Sequence, residues 1–284
     1  MSMLWGAAIG DIVGSRFEFD NYKSKSFALF ESACFFTDDT VLTAAVADAL
    51  IVCKKDPGRD LAAETVEALH RWGEAFPGRG YGGRFAHWLS TESTAPYDSF
   101  GNGGAMRVSP CAWAAASLEE ARSLARVVTG VTHNHPQGLL GAEAAASAVF
   151  LARTGASRER IRSYIESNFY CLDFTLDAIR PYYSFSETAQ GSVPQALEAF
   201  LESTDFDDAI RNAVSIGGDS DTIAAIAGAV AEAFYPVPQE DIECARAVLD
   251  PEIVTVFERF AEVFAGAAAA PAAAVKPASD SAGN

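Results

Sequence analysis

Two helix-length stretches that carry almost no polar residue each begin with a cluster of acids. This combination restricts the fold more than any other feature of the chain. Thr37-Asp38-Asp39-Thr40 leads into Val41–Leu50, and Asp219-Ser220-Asp221-Thr222 leads into Ile223–Val230. The first stretch has few polar positions and the second has none. A helix that is apolar on every side lies inside a protein, so its first turn is drawn inside with it. Ser, Thr and Asp are favoured N-caps, and acids are stabilised at a helix N-terminus, so capping is one reading. Capping uses one side-chain oxygen per helix, whereas each cluster supplies at least three. The other reading is a cation site, because ionised carboxylates are costly to bury without compensation. Carboxylate with hydroxyl oxygen suits Mg²⁺, Mn²⁺ or Ca²⁺ rather than Zn²⁺.

The rest of the chain also reads as helix, interrupted by Gly/Pro loops. Apolar spacing predicts helices at about 3–15, 38–54, 59–75, 81–90, 106–115, 118–130, 137–154, 157–168, 175–180, 194–202, 205–215, 221–234, 239–247 and 251–265. Few segments alternate with period two, so an all-α fold is expected. No repeat of fixed period appears, which argues against a helical array. Gly6, Gly10 and Gly14 recur every four residues on the first helix. That spacing predicts close approach to another backbone, with Asp11 as a buried polar brace. Residues 1–265 are expected to form one domain. Residues 266–284 are Ala, Pro, Ser and Gly with little else, and are expected to stand outside the fold.

Charge and cysteines narrow the function classes. The formal net charge of −17 disfavours binding to a nucleic-acid backbone. No run of eighteen apolar residues occurs, so no membrane span is expected. The first positive residue is Arg16, which leaves no basic start for a secretory signal. Five scattered cysteines without a CxxC read as reduced thiols, and a cytoplasmic location is expected.

Two loops have ligand-binding chemistry. Asp98-Ser99-Phe100-Gly101-Asn102-Gly103-Gly104-Ala105-Met106-Arg107 puts three glycines around an asparagine ahead of a predicted helix. Backbone N–H groups in such a loop suit a diphosphate; a tight inter-helix connection is the alternative. Thr132-His133-Asn134-His135-Pro136-Gln137-Gly138 holds two of the four histidines. Hydrogen bonding or stacking against a ligand fits better than zinc, since no third ligand is near, and Asn134 is placed to cap the next helix. His70 and His87 sit in helical stretches and read as structural. Glu18, between Phe17 and Phe19, precedes the polar loop Asp20–Lys23 and could act on water or swing as a flap.

Taken in order, these residues resemble the ADP-ribosylglycohydrolase family. The matching stretches are Gly6–Gly14 with Glu18, Phe36-Thr-Asp-Asp-Thr, Gly101-Asn-Gly-Gly-Ala-Met-Arg, Thr132-His133…Gly138 and Gly217-Gly-Asp-Ser-Asp-Thr-Ile-Ala. They span roughly residues 4 to 235, and the paired acidic motifs are the specific part. The resemblance implies an all-α, compact, orthogonally packed multi-helix single domain. It implies two divalent cations, Mg²⁺ or Mn²⁺, held by Thr37, Asp38, Asp39, Asp219, Asp221 and Thr222. It implies ADP-ribose contacts from Ser99, Gly101, Asn102, Gly103, Gly104, Met106 and His133. It puts forward Glu18, Asp38 and Asp221 for the proton-handling step of glycosidic cleavage.

The expected substrate is an ADP-ribosylated protein, with arginine as the modified residue. Rival readings are a hydrolase of free ADP-ribosylated small molecules and a non-catalytic, crystallin-like relative; the intact acidic clusters argue against the latter. The stretches Tyr81-Gly-Gly-Arg-Phe and Gln190-Gly-Ser-Val-Pro-Gln-Ala resemble a small bacterial branch of the family. That branch often has Ser at Gly104 and Cys at Ala189, so this chain keeps the backbone donors at Gly104 but lacks a hydroxyl there.

Overall fold

A computed structural model describes residues 3–91 and 93–268 of the chain. Fourteen α-helices account for its regular structure: α1 Trp5–Gly14, α2 Asp38–Lys55, α3 Leu61–Ala75, α4 Gly83–Leu89, α5 Ser109–Ala114, α6 Leu118–Gly130, α7 Pro136–Arg153, α8 Arg158–Asn168, α9 Leu176–Ile179, α10 Ala189–Leu201, α11 Phe206–Ser215, α12 Ser220–Phe234, α13 Gln239–Val248 and α14 Pro251–Ala268. No strand forms among the described residues; a single antiparallel bridge joins Gly101 to Thr188. The all-α single-domain expectation holds.

The first glycine helix and the second acidic helix form the axis of the molecule. α1 and α12 make the most extensive helix pairing, and α1 is buried along its whole length. A Cβ on Gly6 or Gly10 would overlap the carbonyl groups of Gly228 and Ala224, and one on Gly14 would fall 2.5 Å from the Asp221 Cα. The four-residue glycine spacing therefore marks a seam where two backbones touch. It has a chemical consequence: it presses Asp11, on the same helix, against the start of α12. α2 is buried from Asp39 through Leu50 apart from Asp48, and packs on α3 and α14. Helices α7, α10 and α11 complete the wall around α12.

Three helices differ most from the apolar spacing, two of them for a local reason. Helix α10 starts at Ala189, because Thr188 accepts a hydrogen bond from the Gly191 N–H at 3.1 Å and caps it. Pro194 therefore lies inside the helix rather than opening it. The predicted helix over 106–115 shortens to Ser109–Ala114, since Ala105 and Met106 donate back to the Asn102 carbonyl and close a 3₁₀ turn over Asn102–Gly104. Helix α14 continues to Ala268, three residues past the expected end; residues 269–284, expected to stand outside the fold, lie outside the described residues. No helix among the described residues is long and apolar enough to cross a membrane.

Candidate active site

The starts of α2 and α12 meet. The Thr222 hydroxyl donates to Asp39 Oδ2 at 3.1 Å, joining residues 183 positions apart. Around this contact, one carboxylate oxygen each from Asp11, Asp39 and Asp221 lie within 4.8 Å of one another. Glu18, Asp219 and Asp221 form a second such group. Asp221 belongs to both. Asp39, Asp219 and Asp221 are buried, and Asp38 and Glu18 are half-buried.

Asp11 braces the site as expected, and it also enters the acid cluster, which its sequence context did not suggest. Its carboxylate accepts from the Thr37 N–H at 2.9 Å, the Thr37 hydroxyl at 2.7 Å, the Thr40 N–H at 3.1 Å and the Thr40 hydroxyl. It thus caps α2 from another helix. Thr37 caps the same helix locally, accepting from the Asp39 N–H at 3.3 Å. Its hydroxyl proton is engaged by Asp11, and Thr37 stands behind the cleft surface. On the other side, Asn102 Nδ2 donates to Asp219 Oδ2 at 2.6 Å and to the Ser192 hydroxyl at 3.0 Å. Capping therefore explains part of each cluster and leaves the rest unexplained.

The electrostatics make the surplus explicit. Among the described residues none of Asp11, Asp38, Asp39, Asp219, Asp221 or Glu18 has an ion-pair partner. Burial, then the charges of Asp11 and Asp219, pushes Asp38 up to about 8. Burial and the neighbouring acids hold Asp39 and Asp221 well above the usual carboxylate range. Burial, then Asp219, Asp11 and Glu187, raises Glu18 to about 7. Asp11 rises to about 6 through burial, opposed by its threonine donors. Asp39 Oδ1 is buried with no hydrogen-bond partner. An oxygen-only donor set with excess negative charge and an orphaned carboxylate oxygen fits hard divalent cations.

The cluster forms the floor of a cleft of about 440 Å³. Glu18, Asp38, Asp39, Asp219, Asp221 and Thr222 all line it, as do Ser99, Gly101, Asn102, Gly103, Met106 and His133. Every expected residue except Thr37 and Gly104 reaches the cleft surface. Gly104 lies just beneath, and a Cβ there would meet Thr129 Cγ2 at 2.6 Å; this chain therefore has no room for the serine of the related branch unless Thr129 moves. The N–H groups of Gly101, Asn102, Ala105 and Met106 are bonded to Ser99 Oγ, the Glu187 carbonyl and the Asn102 carbonyl, so backbone contact with an anion falls to Gly103, which lines the cleft. Asp98, at φ 54°, opens the loop with its N–H bonded to Asn134 Oδ1 at 2.7 Å. Asn134 is thus the anchor of the glycine loop, and His135 caps α7 instead, because Pro136 occupies the first helical position.

His133 is held by a hydrogen-bond chain. Arg107, fully buried, donates to Thr132 Oγ1 at 2.6 Å, and Thr132 Oγ1 lies 2.8 Å from His133 Nδ1. Guanidinium only donates, so the threonine accepts there and has its own proton for Nδ1. With that proton directed at Nδ1, the ring proton sits on Nε2, which lies 3.3 Å from the space above Gly103. Burial, then Arg107 and Arg84, holds the ring's pKa well below that of free histidine, so it stays neutral.

Several lining residues were given no role by the sequence: Arg84 at the start of α4, Tyr97, Arg107 at the end of the glycine-loop motif, Phe185 and Glu187. Arg84 sits in the Tyr81–Phe85 stretch that carried resemblance without a role. Phe185 and Glu187 are brought in by bonds to main-chain groups: Asn102 N to the Glu187 carbonyl at 2.8 Å, Ala189 N to the Phe100 carbonyl at 2.9 Å and the Ser192 hydroxyl to the Ser186 carbonyl at 2.8 Å.

A family model described as ADP-ribosylglycohydrolase matches residues 1–271. The chain belongs to the ADP-ribosylglycohydrolase family. That places this family member among the glycohydrolases that act on ADP-ribose. It is 28% identical over 315 residues to ADP-ribosylhydrolase ARH3 of Mus musculus, covering 83% of each chain. It is also 28% identical over 281 residues to ADP-ribosylarginine hydrolase Tri1 of Pseudomonas putida (strain GB-1), covering 84% of this chain and 72% of the relative. Its fold matches a solved ADP-ribosylglycohydrolase-related protein complex with a TM-score of 0.69 at 23% identity, over 93% of this chain and 96% of that one.

Proposed function

We propose that this ADP-ribosylglycohydrolase is a metal-dependent enzyme that releases ADP-ribose from modified arginine side chains of proteins. The observation that carries the reading is the meeting of Asp39 and Thr222 on the floor of a cleft whose wall is the glycine loop and His133. The similarity to a relative named for ADP-ribosylarginine supports arginine as the acceptor.

The residues divide the work by position. Gly103 offers its backbone N–H to the diphosphate, and His133 offers its Nε2 proton beside it. Two divalent cations, Mg²⁺ or Mn²⁺, fit among Asp38, Asp39, Asp219, Asp221 and Thr222, with Thr37 and Asp11 holding the first helix start in place. Bound there, they would neutralise the carboxylates, orient the ribose hydroxyls and make a water more acidic. Asn102 fixes Asp219 in one orientation through its 2.6 Å bond. Glu18 stands at the rim with a pKa raised to about 7, so near neutral pH it can both take a proton from water and return one to the leaving nitrogen. Asp38 and Asp221, deeper in the cleft, are the other carboxylates placed for that task.

The test is release of free ADP-ribose from an ADP-ribosylated arginine peptide by purified protein in Mg²⁺ or Mn²⁺. Turnover that disappears with Asp38→Asn, while the variant keeps its helical circular dichroism, supports the reading. No turnover with metal bound, or turnover unaffected by the substitution, sinks it.

A further inference from the structure

An aromatic pair at the acidic end of the cleft has no task in the mechanism above. Phe19 is 86% exposed and Phe185 43% exposed. Their rings face each other with centroids 6.2 Å apart and planes 26° apart. Each stands beside a carboxylate: Phe19 directly follows Glu18, and Phe185 lies two residues before Glu187. Phe185, Glu18 and Glu187 line the cleft. Glu187 lies near enough to Glu18 for its charge to act on that carboxyl.

The two segments are held firmly although their rings stand in water. Asn21 Nδ2 donates to the carbonyls of Phe17 at 2.8 Å and Glu18 at 2.9 Å, and its Oδ1 accepts from the Gly218 N–H at 2.8 Å. Lys23 Nζ crosses between the segments to the Tyr183 carbonyl at 2.6 Å. The Glu187 carbonyl is bonded to the glycine loop. An exposed aromatic face on an anchored segment at a cleft mouth is a surface waiting for a partner rather than a fraying end.

We propose that Phe19, Phe185 and Glu187 form the leaving-group subsite and that it takes a guanidinium; this rests on the arginine reading above. A guanidinium is flat, delocalised and weakly hydrated, so it lies well against aromatic faces. Carboxylates at its edge supply the charged acceptors its N–H groups need. A serine oxygen is neutral and offers the rings nothing, and an anionic acceptor is repelled by Glu18 and Glu187. Both ends of the cleft are then matched to the substrate: donors face the diphosphate and acceptors face the cation.

The experiment compares wild type with Phe19→Ala, Phe185→Ala and Glu187→Gln, using ADP-ribosyl-arginine and ADP-ribosyl-serine peptides, and titrates free ADP-ribose by calorimetry. Each substitution is expected to raise KM for the arginine peptide by about fivefold. The arginine-to-serine ratio of kcat/KM falls accordingly, while the Kd of free ADP-ribose stays within about twofold. An unchanged arginine KM in all three variants overturns the subsite, as does an equal loss of free ADP-ribose affinity. Wild-type turnover is read first: its absence on arginine overturns the functional reading itself, whereas normal turnover with unaltered variants overturns the subsite alone.

Discussion

Thr222 and Asp39 hydrogen-bond at 3.1 Å across two helix starts that the sequence separates by 183 residues. Every step of the functional argument depends on that contact. It turns two ordinary-looking caps into one oxygen-rich centre, and it exists because the α1–α12 glycine seam and the Asp11 brace bring the two helices to the same point. Thr222→Val keeps the shape and removes the hydroxyl. The variant should fold normally and bind Mn²⁺ about 10-fold more weakly, as measured by calorimetry; unchanged affinity would show that the contact does not serve the metal centre.

Without metal, the acid cluster should make stability depend on pH in a particular direction. In the folded chain Asp11, Glu18 and Asp38 hold protons up to about 6, 7 and 8, above their values in an unfolded chain. The folded state therefore binds more protons over that range, and stability falls as pH rises from about 4 to about 8. In chelator, Tm should be roughly 5 °C or more lower at pH 8 than at pH 5. Added Mn²⁺ should raise Tm more at pH 8 than at pH 5. A flat Tm in chelator would contradict the account of the cluster.

The glycine seam predicts a large packing effect from one methyl group. Gly10→Ala would push a Cβ into the Ala224 carbonyl, in a helix pair with no room to part. Urea unfolding should show a loss of about 3 kcal/mol. A loss within error of zero would mean the two backbones are not in contact.

Thr132 is a positioning residue. Thr132→Val breaks the chain from Arg107 to His133 Nδ1 without touching the ligand. The Kd of free ADP-ribose should rise about 10-fold, and the ¹⁵N shifts of His133 should lose the pattern of a single Nε2–H tautomer. Preserved tautomer and affinity would remove the hydrogen-bond chain from the account.

Much of this site was legible because its chemistry is local. Two carboxylates and a hydroxyl within four residues at the head of an apolar helix can be read without a structure, and so can three glycines around Asn102. Asp11 was legible as buried but not as a member of the acid cluster, since a lone acid on a glycine helix has no partner in its own sequence neighbourhood. The Phe185–Glu187 wall was not legible at all. Its place is set by bonds to main-chain carbonyls in and just before it, from the glycine loop, Ser192 and Lys23, which are distant in sequence and leave no local pattern. Pro194 misled for the opposite reason: a proline signals a helix start, but Thr188 had already capped this one. His135 was missed as well: its Nδ1 accepts from the Gln137 N–H at 3.1 Å and caps α7, a role that histidine seldom signals in a sequence.

The central claim is tested most directly by following ADP-ribose release from an ADP-ribosylated arginine peptide in Mn²⁺, and again after removal of metal with chelator. The account predicts turnover with metal, its loss in chelator and its recovery when Mn²⁺ is restored. Undiminished turnover in chelator, or none in protein shown by calorimetry to hold Mn²⁺, would contradict it.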